Sequence, residues 1–264
     1  SWDHLVLCTD HQPVVGSGTF GVVVRAKYAF DRNTSQTVDV AVKIMTKKFL
    51  NNVIGYRSIH DQAWSEANTM YRAGVSVQQS DSVVKLYGVV EGPLPPTWQT
   101  GLRIYSGTDT VIGIVMKYEA GGSLESLLHG GSKRDLDMME KVRIMRGIAL
   151  GLSELHSLPE GDYIVHGDIK PANVLLGGET PCAVKLADFG VSKVKESLRN
   201  TCQVTASLDF TSAKRGTPVY SAPELLPSPT NMQVCAPSRT SDMYAFAVLA
   251  WEVLTGERPF KDIT

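Results

Sequence analysis

Four polar residues lie between two short apolar runs in the segment 164–176, IVHGDIKPANVLL: His166, Asp168, Lys170 and Asn173. A carboxylate in this position can accept a proton from an attacking hydroxyl, and a nearby lysine can stabilise a transferred anionic group. Taken singly, His166 is as well explained as a hydrogen-bonded core histidine. Together the four residues indicate a catalytic loop in which Asp168 is the base.

A second carboxylate, Asp188, follows the next apolar run. Segments 172–176 and 183–187 flank GGETPC and predict a short hairpin, which folds Asp188 back toward Asn173. One carboxylate and one amide oxygen are hard ligands that suit Mg²⁺. Taken alone, the sequence Asp188-Phe189-Gly190 is equally typical of a plain turn.

Gly16, Gly18 and Gly21 form a GxGxxG pattern, which is weak by itself because the chain has 23 glycines. A dinucleotide site needs a helix after the glycines, whereas residues 22–24 are three valines that begin a strand, and no GxxxxGK[ST] loop occurs. Two interpretations remain: a glycine hairpin whose backbone N–H groups approach phosphates, and a simple glycine turn.

Lys43 lies in the strand-like run VDVAVKIM, where a period of two places it on one face with Ala41 and Met45. Glu66 continues the apolar face of a predicted helix that includes Ile59. A carboxylate on a buried face needs a partner, so we expect an ion pair that could position phosphates. The alternative for each residue is a solvent-facing side chain.

The elements that position these residues divide at Gly121-Gly122. Before this point, β-branched runs predict four strands, at 22–28, 38–45, 83–90 and 111–118. Apolar residues at helical spacing predict one helix among them, at 58–74. After it, helical apolar patterns cover 136–156 and 241–255, and the second is apolar on nearly every face, which predicts a buried helix. The segment 92–109 is rich in Pro, Gly, Ser and Thr and predicts a surface loop.

Composition excludes several classes of function. The chain has 264 residues, with 26 Lys+Arg against 27 Asp+Glu, so its net charge of −1 gives no reason to expect nucleic acid as a partner. Its four cysteines show neither disulfide nor zinc spacing, which favours a reducing, cytoplasmic compartment. The most apolar stretch is too short to insert directly into a membrane.

Taken together, the motifs resemble those of the eukaryotic protein kinases, and the resemblance covers almost the whole chain. They occur in the family's order: GSGTFGVV at 16–23, VAVK at 40–43, Glu66, HGDIKPAN at 166–173, ADFG at 187–190, APE at 222–224 and SDMYAFAVLAWEVLTG at 241–256.

The resemblance implies a role for each site residue. Lys43 binds the α- and β-phosphates of ATP, Glu66 holds that lysine, Asp168 is the catalytic base assisted by Lys170, and Asn173 and Asp188 bind Mg²⁺. The resemblance assigns the phosphates to the glycine-rich loop, at Gly16, Ser17, Gly18, Thr19 and Gly21. The apolar contacts around adenine are Val23, Ala41 and Leu175. Met116 lies behind the adenine pocket, and Tyr118 lies in the hinge.

The resemblance also implies an α+β, bilobal protein-kinase fold. We expect an N-lobe at 1–116, with an antiparallel sheet and the helix called C, and a mainly helical C-lobe at 117–264. The family continues through further helices after the one called F, which 241–256 matches. We therefore expect the kinase domain to be incomplete at its C-terminus.

The function implied is transfer of the γ-phosphate of Mg-ATP to serine or threonine hydroxyls of proteins in intracellular signalling. Details of the catalytic loop and of 241–256 resemble the tyrosine-kinase-like group, near the receptor-interacting and receptor-associated kinases. Expected partners are protein substrates and receptor or adaptor proteins, and the chain is cytoplasmic or the intracellular part of a larger protein. The alternative is a pseudokinase or scaffold module that signals by binding. A small-molecule phosphotransferase is disfavoured because a long segment ending in APE resembles a peptide platform.

One departure from the family concerns regulation. Most members have arginine between the catalytic histidine and aspartate, where this chain has Gly167. The basic pocket for an activation-loop phosphate therefore lacks its main arginine. We expect activity to depend only weakly on phosphorylation of 188–224, although this segment carries several serines and threonines.

Overall fold

A computed structural model describes most of the chain and divides it into two units. The first unit is Ser1–Tyr71 with Lys85–Tyr118, and the second is Arg72–Val84 with Glu119–Thr264. The residues described are 1–8, 13–18, 21–30, 36–45, 56–76, 81–102, 110–131, 133–158, 162–178, 183–195, 218–226 and 235–261.

The first unit contains a six-stranded antiparallel sheet. Its order is β1-β3-β4-β6-β5, with β2 also paired to β3. The strands are β1 (Leu5–Leu7), β2 (Val14–Gly18), β3 (Gly21–Ala29), β4 (Thr37–Met45), β5 (Leu86–Pro93) and β6 (Thr110–Lys117). The α+β class expected from the sequence is confirmed, although β5 begins three residues later than predicted.

The two faces of β4 have different environments, as the alternation in its sequence predicts. Val40, Val42 and Ile44 lie in the hydrophobic core of the sheet. Lys43 and Ala41, on the other face, are also buried. A lysine inside a strand buried on both faces requires a counter-ion.

One helix of the first unit carries that counter-ion. Helix α1 (Tyr56–Ser76) places Ile59, Ala63, Glu66 and Met70 on one buried face, which confirms the helical spacing. The last residues of α1 belong to the second unit, where Arg72 forms an ion pair with Asp162.

The sequence predicted a surface loop at 92–109, but the described part of this segment contains a helix with a buried side chain. A short helix, α2 (Pro96–Leu102), begins with proline at its first position, where the missing N–H is not needed. Its Trp98 is buried and lies edge-on to Trp2, with ring centroids 5.3 Å apart. Burial of this indole fixes the segment, and composition alone did not reveal it.

The second unit is mainly helical. Its helices are α3 (Leu124–His129), α4 (Met138–His156) and α5 (Arg239–Thr255). Its strands form two antiparallel pairs: β8 (Val174–Leu176) with β9 (Val184–Leu186), and β7 (Tyr163–Val165) with β10 (Lys193–Lys195). The first pair confirms the predicted hairpin that leads to Asp188.

Helix α5 is buried on one face only, so the prediction of a helix enclosed on nearly every face is wrong for the described residues. Asp242, Leu249 and Val253 are buried, whereas Tyr244 and Trp251 are 39 % and 45 % exposed. Among the described helices, α4 makes the most extensive contact with α5. No helix in the described part of the chain has the length and apolar character to cross a membrane.

Candidate active site

In the first unit, Lys43 and Glu66 form a buried ion pair. The Lys43 Nζ atom donates to Glu66 Oε1 at 2.8 Å and to Oε2 at 2.9 Å. The two residues are only 6 % and 2 % exposed. Because neither charge is well hydrated, each depends on the other, and the pair fixes the ammonium group.

The glycine-rich segment forms the hairpin between β2 and β3. Gly18 pairs with Gly21, and Gly16 follows a register shift in β2. Gly21 has φ +150°, and a Cβ there would collide with the carbonyl oxygen of Ile44. Glycine at this position is therefore required by the sheet itself, whatever the loop binds. Ser17 is exposed in β2, and Thr19 lies outside the described residues.

The residues expected around adenine are adjacent in the same sheet. Val23 lies opposite Lys43, and Ala41 lies opposite Met116. Tyr118 follows β6, and its ring lies 4.6 Å below the guanidinium of Arg25. The remaining expected contact, Leu175, lies on β8 of the second unit and is described there alone.

The Arg25 contact is one that sequence analysis did not identify. Arg25 also donates to Asp39 at 2.7 Å, and the backbone N–H of Tyr118 donates to the Asp39 carbonyl. The hydrogen bond from Arg25 lowers the pKa of the Asp39 carboxyl. These contacts hold the segment after β6 against β3 and β4.

In the second unit, the loop after β7 brings three of the predicted residues together. Lys170 Nζ donates to Asp168 Oδ2 at 2.7 Å, and Asn173 Nδ2 donates to the same oxygen at 2.9 Å. Both bonds use Oδ2, which leaves Asp168 Oδ1 as the oxygen that can receive a proton.

The loop is held by a buried carboxylate on α5. Asp242 Oδ2 accepts the backbone N–H of His166 at 2.9 Å, and Oδ1 accepts that of Gly167 at 2.8 Å. His156, at the end of α4, lies 2.9 Å from Asp242 Oδ2. His156 was not among the predicted residues, although a histidine at the end of an apolar helix was a detectable signal.

His166 supports the same loop from inside the core. Its Nδ1 accepts the N–H of Asp168 at 3.3 Å, and its Nε2 lies 3.1 Å from the carbonyl oxygen of Ala187. A carbonyl can only accept, so these contacts indicate a neutral ring protonated at Nε2. The ring centroid lies 5.0 Å from that of Phe189.

Asn173 and Asp188 are brought near each other by the hairpin. The Ala187 N–H donates to the Asn173 carbonyl at 3.0 Å, which places Asp188 one residue beyond that contact. The side-chain nitrogen of Asn173 is used by Asp168, so its amide oxygen remains as an acceptor. Asp188 has φ 63°, a conformation that aspartate tolerates better than most residues. One amide oxygen and one carboxylate fit Mg²⁺, which takes few protein ligands and keeps water and phosphate oxygens.

The segment that follows is described only at its two ends. Ser192 donates to the carbonyl of His166 at 2.8 Å, and Ala222 precedes a short turn at Pro223–Leu225. The other serines and threonines expected as candidate phosphorylation sites lie outside the described residues: Ser197, Thr201, Thr205, Ser207, Thr211 and Ser212.

A second buried network lies near this segment and was not predicted. Glu252, which is fully buried on α5, accepts the hydroxyl of Tyr220 at 2.6 Å and lies 2.7 Å from Nε2 of His129. Burial, followed by the contact with Glu252, raises the pKa of Tyr220, so its hydroxyl is a donor at all physiological pH values. A second carboxylate, after Asp242, in a largely apolar helix was the signal available in the sequence.

Several known proteins are similar in sequence to this chain. Receptor-interacting serine/threonine-protein kinase 3 of Rattus norvegicus is 32 % identical over 244 residues, covering 92 % of this chain and 40 % of the relative. Serine/threonine-protein kinase mos of Gallus gallus is 31 % identical over 274 residues, covering 98 % and 64 %. Receptor-interacting serine/threonine-protein kinase 2 of Bos taurus is 35 % identical over 157 residues, covering 58 % and 26 %.

The chain spans less than two thirds of the length of each of these relatives. The family model described as the protein kinase domain matches residues 10–264. This match covers the buried Lys43–Glu66 pair, the Asp168 loop and the Asp242 contacts. The chain therefore belongs to the protein kinase domain family.

Proposed function

We propose that the chain transfers the γ-phosphate of Mg-ATP to serine or threonine hydroxyls of proteins. The observation that carries this proposal is the arrangement at Asp168. Lys170 and Asn173 bind one carboxylate oxygen, and the other is left for a substrate hydroxyl. Asp168 then accepts the proton as the hydroxyl attacks, and Lys170 offsets the negative charge of the transferred group.

Lys43 and Glu66 have a positioning role in this proposal. The glutamate fixes the ammonium group of Lys43, which binds the α- and β-phosphates. Asn173 and Asp188 hold Mg²⁺, which neutralises charge on the phosphates when it is bound. In the first unit, Val23, Ala41 and Met116 contact adenine, and Tyr118 lies in the segment beside it. Leu175 is the adenine contact proposed for the second unit. Gly16, Ser17, Gly18, Thr19 and Gly21 cover the phosphates.

The wider setting follows from the same proposal. Residues 1–116 act as the nucleotide-binding lobe, and residues 117–264 belong to the lobe that binds protein substrates. The relatives named as receptor-interacting kinases support a signalling role with receptor or adaptor partners. The cytoplasmic setting of that role is part of the same proposal. A pseudokinase or scaffold that signals by binding is the second candidate. The presence of Lys43, Asp168, Asn173 and Asp188 favours the enzyme over it.

The test compares the chain with its Asp168→Asn variant, using Mg-ATP labelled at the γ-phosphate and a generic protein substrate. We expect label on serine or threonine of the substrate with the wild-type chain, and a reduction of at least about 10²-fold in the variant. Nucleotide binding, measured by calorimetry, remains in both proteins. Binding without transfer in the wild-type chain would instead support the scaffold.

A further inference from the structure

A cavity of about 380 Å³ lies in the second unit, beside the catalytic loop. Three cationic side chains line it, Lys170, Arg258 and Lys261, against one carboxylate, Glu125. The rest of the wall includes apolar surface from Pro171 and Val219. We call this cavity the Arg258 pocket.

The pocket lies next to the oxygen atoms proposed to react. Lys170 lines it and also donates to Asp168 Oδ2 at 2.7 Å. An extended peptide advances about 3.4 Å per residue, so a substrate whose hydroxyl reaches Asp168 carries its next few residues past the pocket. The pocket can therefore contact a side chain within three positions of the acceptor hydroxyl.

The charges of the pocket favour an anion. Glu125, the one carboxylate in the lining, already accepts a hydrogen bond from Arg258 at 2.6 Å. That bond raises the pKa of Arg258, whose guanidinium has further donors. Lys261 pairs with Glu257 in an exposed i,i+4 contact, the kind of pair that a ligand can replace at little cost. A cation would meet three like charges.

The wall behind these charges is fixed before any ligand arrives. Tyr220 lines the pocket, and its hydroxyl is held by the buried Glu252, which also contacts His129. Pro171 lies in the short helical turn Pro171–Asn173. A preformed wall lowers the entropy that a bound side chain must lose.

We propose that the Arg258 pocket selects protein substrates with an anionic side chain within three positions of the acceptor hydroxyl, and that Arg258 is its main specificity determinant. The ligand is a carboxylate or a phosphate on a neighbouring residue. This inference rests on the proposed kinase function, because it names the class of substrate that the same site accepts.

The experiment uses the full chain and peptides with one acceptor serine in an alanine background. Aspartate, phosphoserine, lysine or alanine is placed in turn at each of the three positions on either side. At one position we expect kcat/KM to be about 5-fold higher for an anion than for alanine, and lower for lysine. The aspartate and phosphoserine peptides distinguish a carboxylate site from a phosphate site.

Two variants assign the preference to the pocket. Arg258→Glu removes the preference for the anion or reverses it in favour of lysine. Arg134→Glu is the matched control, because Arg134 is an exposed arginine paired with Glu140 and does not line the pocket. It keeps the wild-type preference. Equal kcat/KM for all peptides, or an unchanged preference in Arg258→Glu, would overturn the inference.

A peptide-binding measurement tests the Arg258 pocket independently of the proposed kinase activity. Anisotropy of fluorescein-labelled peptides reports the same charge preference without phosphate transfer. If the chain binds the aspartate or phosphoserine peptide more tightly than the lysine peptide but transfers no phosphate, the pocket is supported and the kinase proposal fails. If all peptides bind equally, the pocket is contradicted whether or not transfer occurs.

Discussion

The hydroxyl of Tyr220 donates a hydrogen bond to Oε2 of Glu252 across 2.6 Å, where the carboxylate is fully buried. This contact joins the turn Pro218–Tyr220 to helix α5. It explains why an acidic side chain is tolerated in an apolar helix, since a buried carboxylate needs hydrogen-bond donors.

Replacing Tyr220 with phenylalanine removes the donor and keeps the ring. We expect Tyr220→Phe to lower the free energy of unfolding by about 1 to 3 kcal/mol, because Glu252 loses a partner inside the protein. Urea denaturation measures the change. Tyr244→Phe is the control, since Tyr244 lies on α5, the helix that carries Glu252, and its side chain is exposed. Equal stability of the two variants would contradict the expected role of the contact.

The Lys43–Glu66 pair allows stability and function to be separated. Lys43→Met removes the buried cation that faces Glu66 and should cost about 3 to 5 kcal/mol of stability. The double variant Lys43→Met with Glu66→Leu removes both charges, so it should regain most of that stability while ATP binding stays lost. Thermal unfolding and nucleotide calorimetry measure the two properties. Recovery of ATP binding in the double variant would rule out the proposed role of Lys43.

A substitution at Gly21 tests whether the sheet itself requires glycine at this position of the GxGxxG pattern. Gly21→Ala should lower the free energy of unfolding by at least about 2 kcal/mol, because the added methyl group meets the Ile44 carbonyl. Gly74→Ala is the matched control. Gly74 lies in helix α1, and a Cβ added there would have no neighbour within 4 Å. That control should gain up to about 1 kcal/mol. A stable Gly21→Ala protein would refute the steric argument.

The Arg25–Asp39 pair predicts a pH dependence. The pKa of Asp39 is lowered in the folded protein, so its stabilising contribution is complete above the unfolded value of about 3.9. It is lost as the pH falls through the folded pKa. The stability difference between wild type and Arg25→Met should therefore shrink below about pH 4. Urea titrations at several pH values measure it.

Lys85→Met serves as the reference for this measurement. Lys85 lies 5.5 Å from the centre of the Tyr87 ring, an aromatic partner without a carboxyl group. Its stability difference from wild type should not change across the same pH range. A parallel pH profile for the two variants would show that Asp39 is not the titrating partner.

Gly167 predicts weak control by phosphorylation. It has no side chain to bind an activation-loop phosphate, and its φ of 79° suits glycine. We expect phosphatase-treated chain to keep ATP turnover within about twofold of the phosphorylated chain, since no arginine at this position responds to the phosphate. Phosphorylation is followed by mass spectrometry. Loss of turnover on treatment would disprove this expectation.

Features set by local sequence were the ones that could be predicted. The β8–β9 hairpin follows from two apolar runs around a turn, and the burial of Glu66 follows from helical spacing. The packing of Trp98 on Trp2 and the contact of Tyr220 with Glu252 join residues that are far apart in the chain. Such contacts depend on tertiary packing, which no single segment encodes.

Asp242 binds the catalytic loop through the backbone N–H groups of His166 and Gly167, so these two contacts use no side-chain atom of either residue. Position 167 is constrained instead by its backbone, because a φ of 79° strains most side chains and is relaxed for glycine. An arginine at this position would have to be held in that conformation by the same two contacts to Asp242. The glycine that removes a phosphate-binding side chain therefore also relieves a local backbone strain.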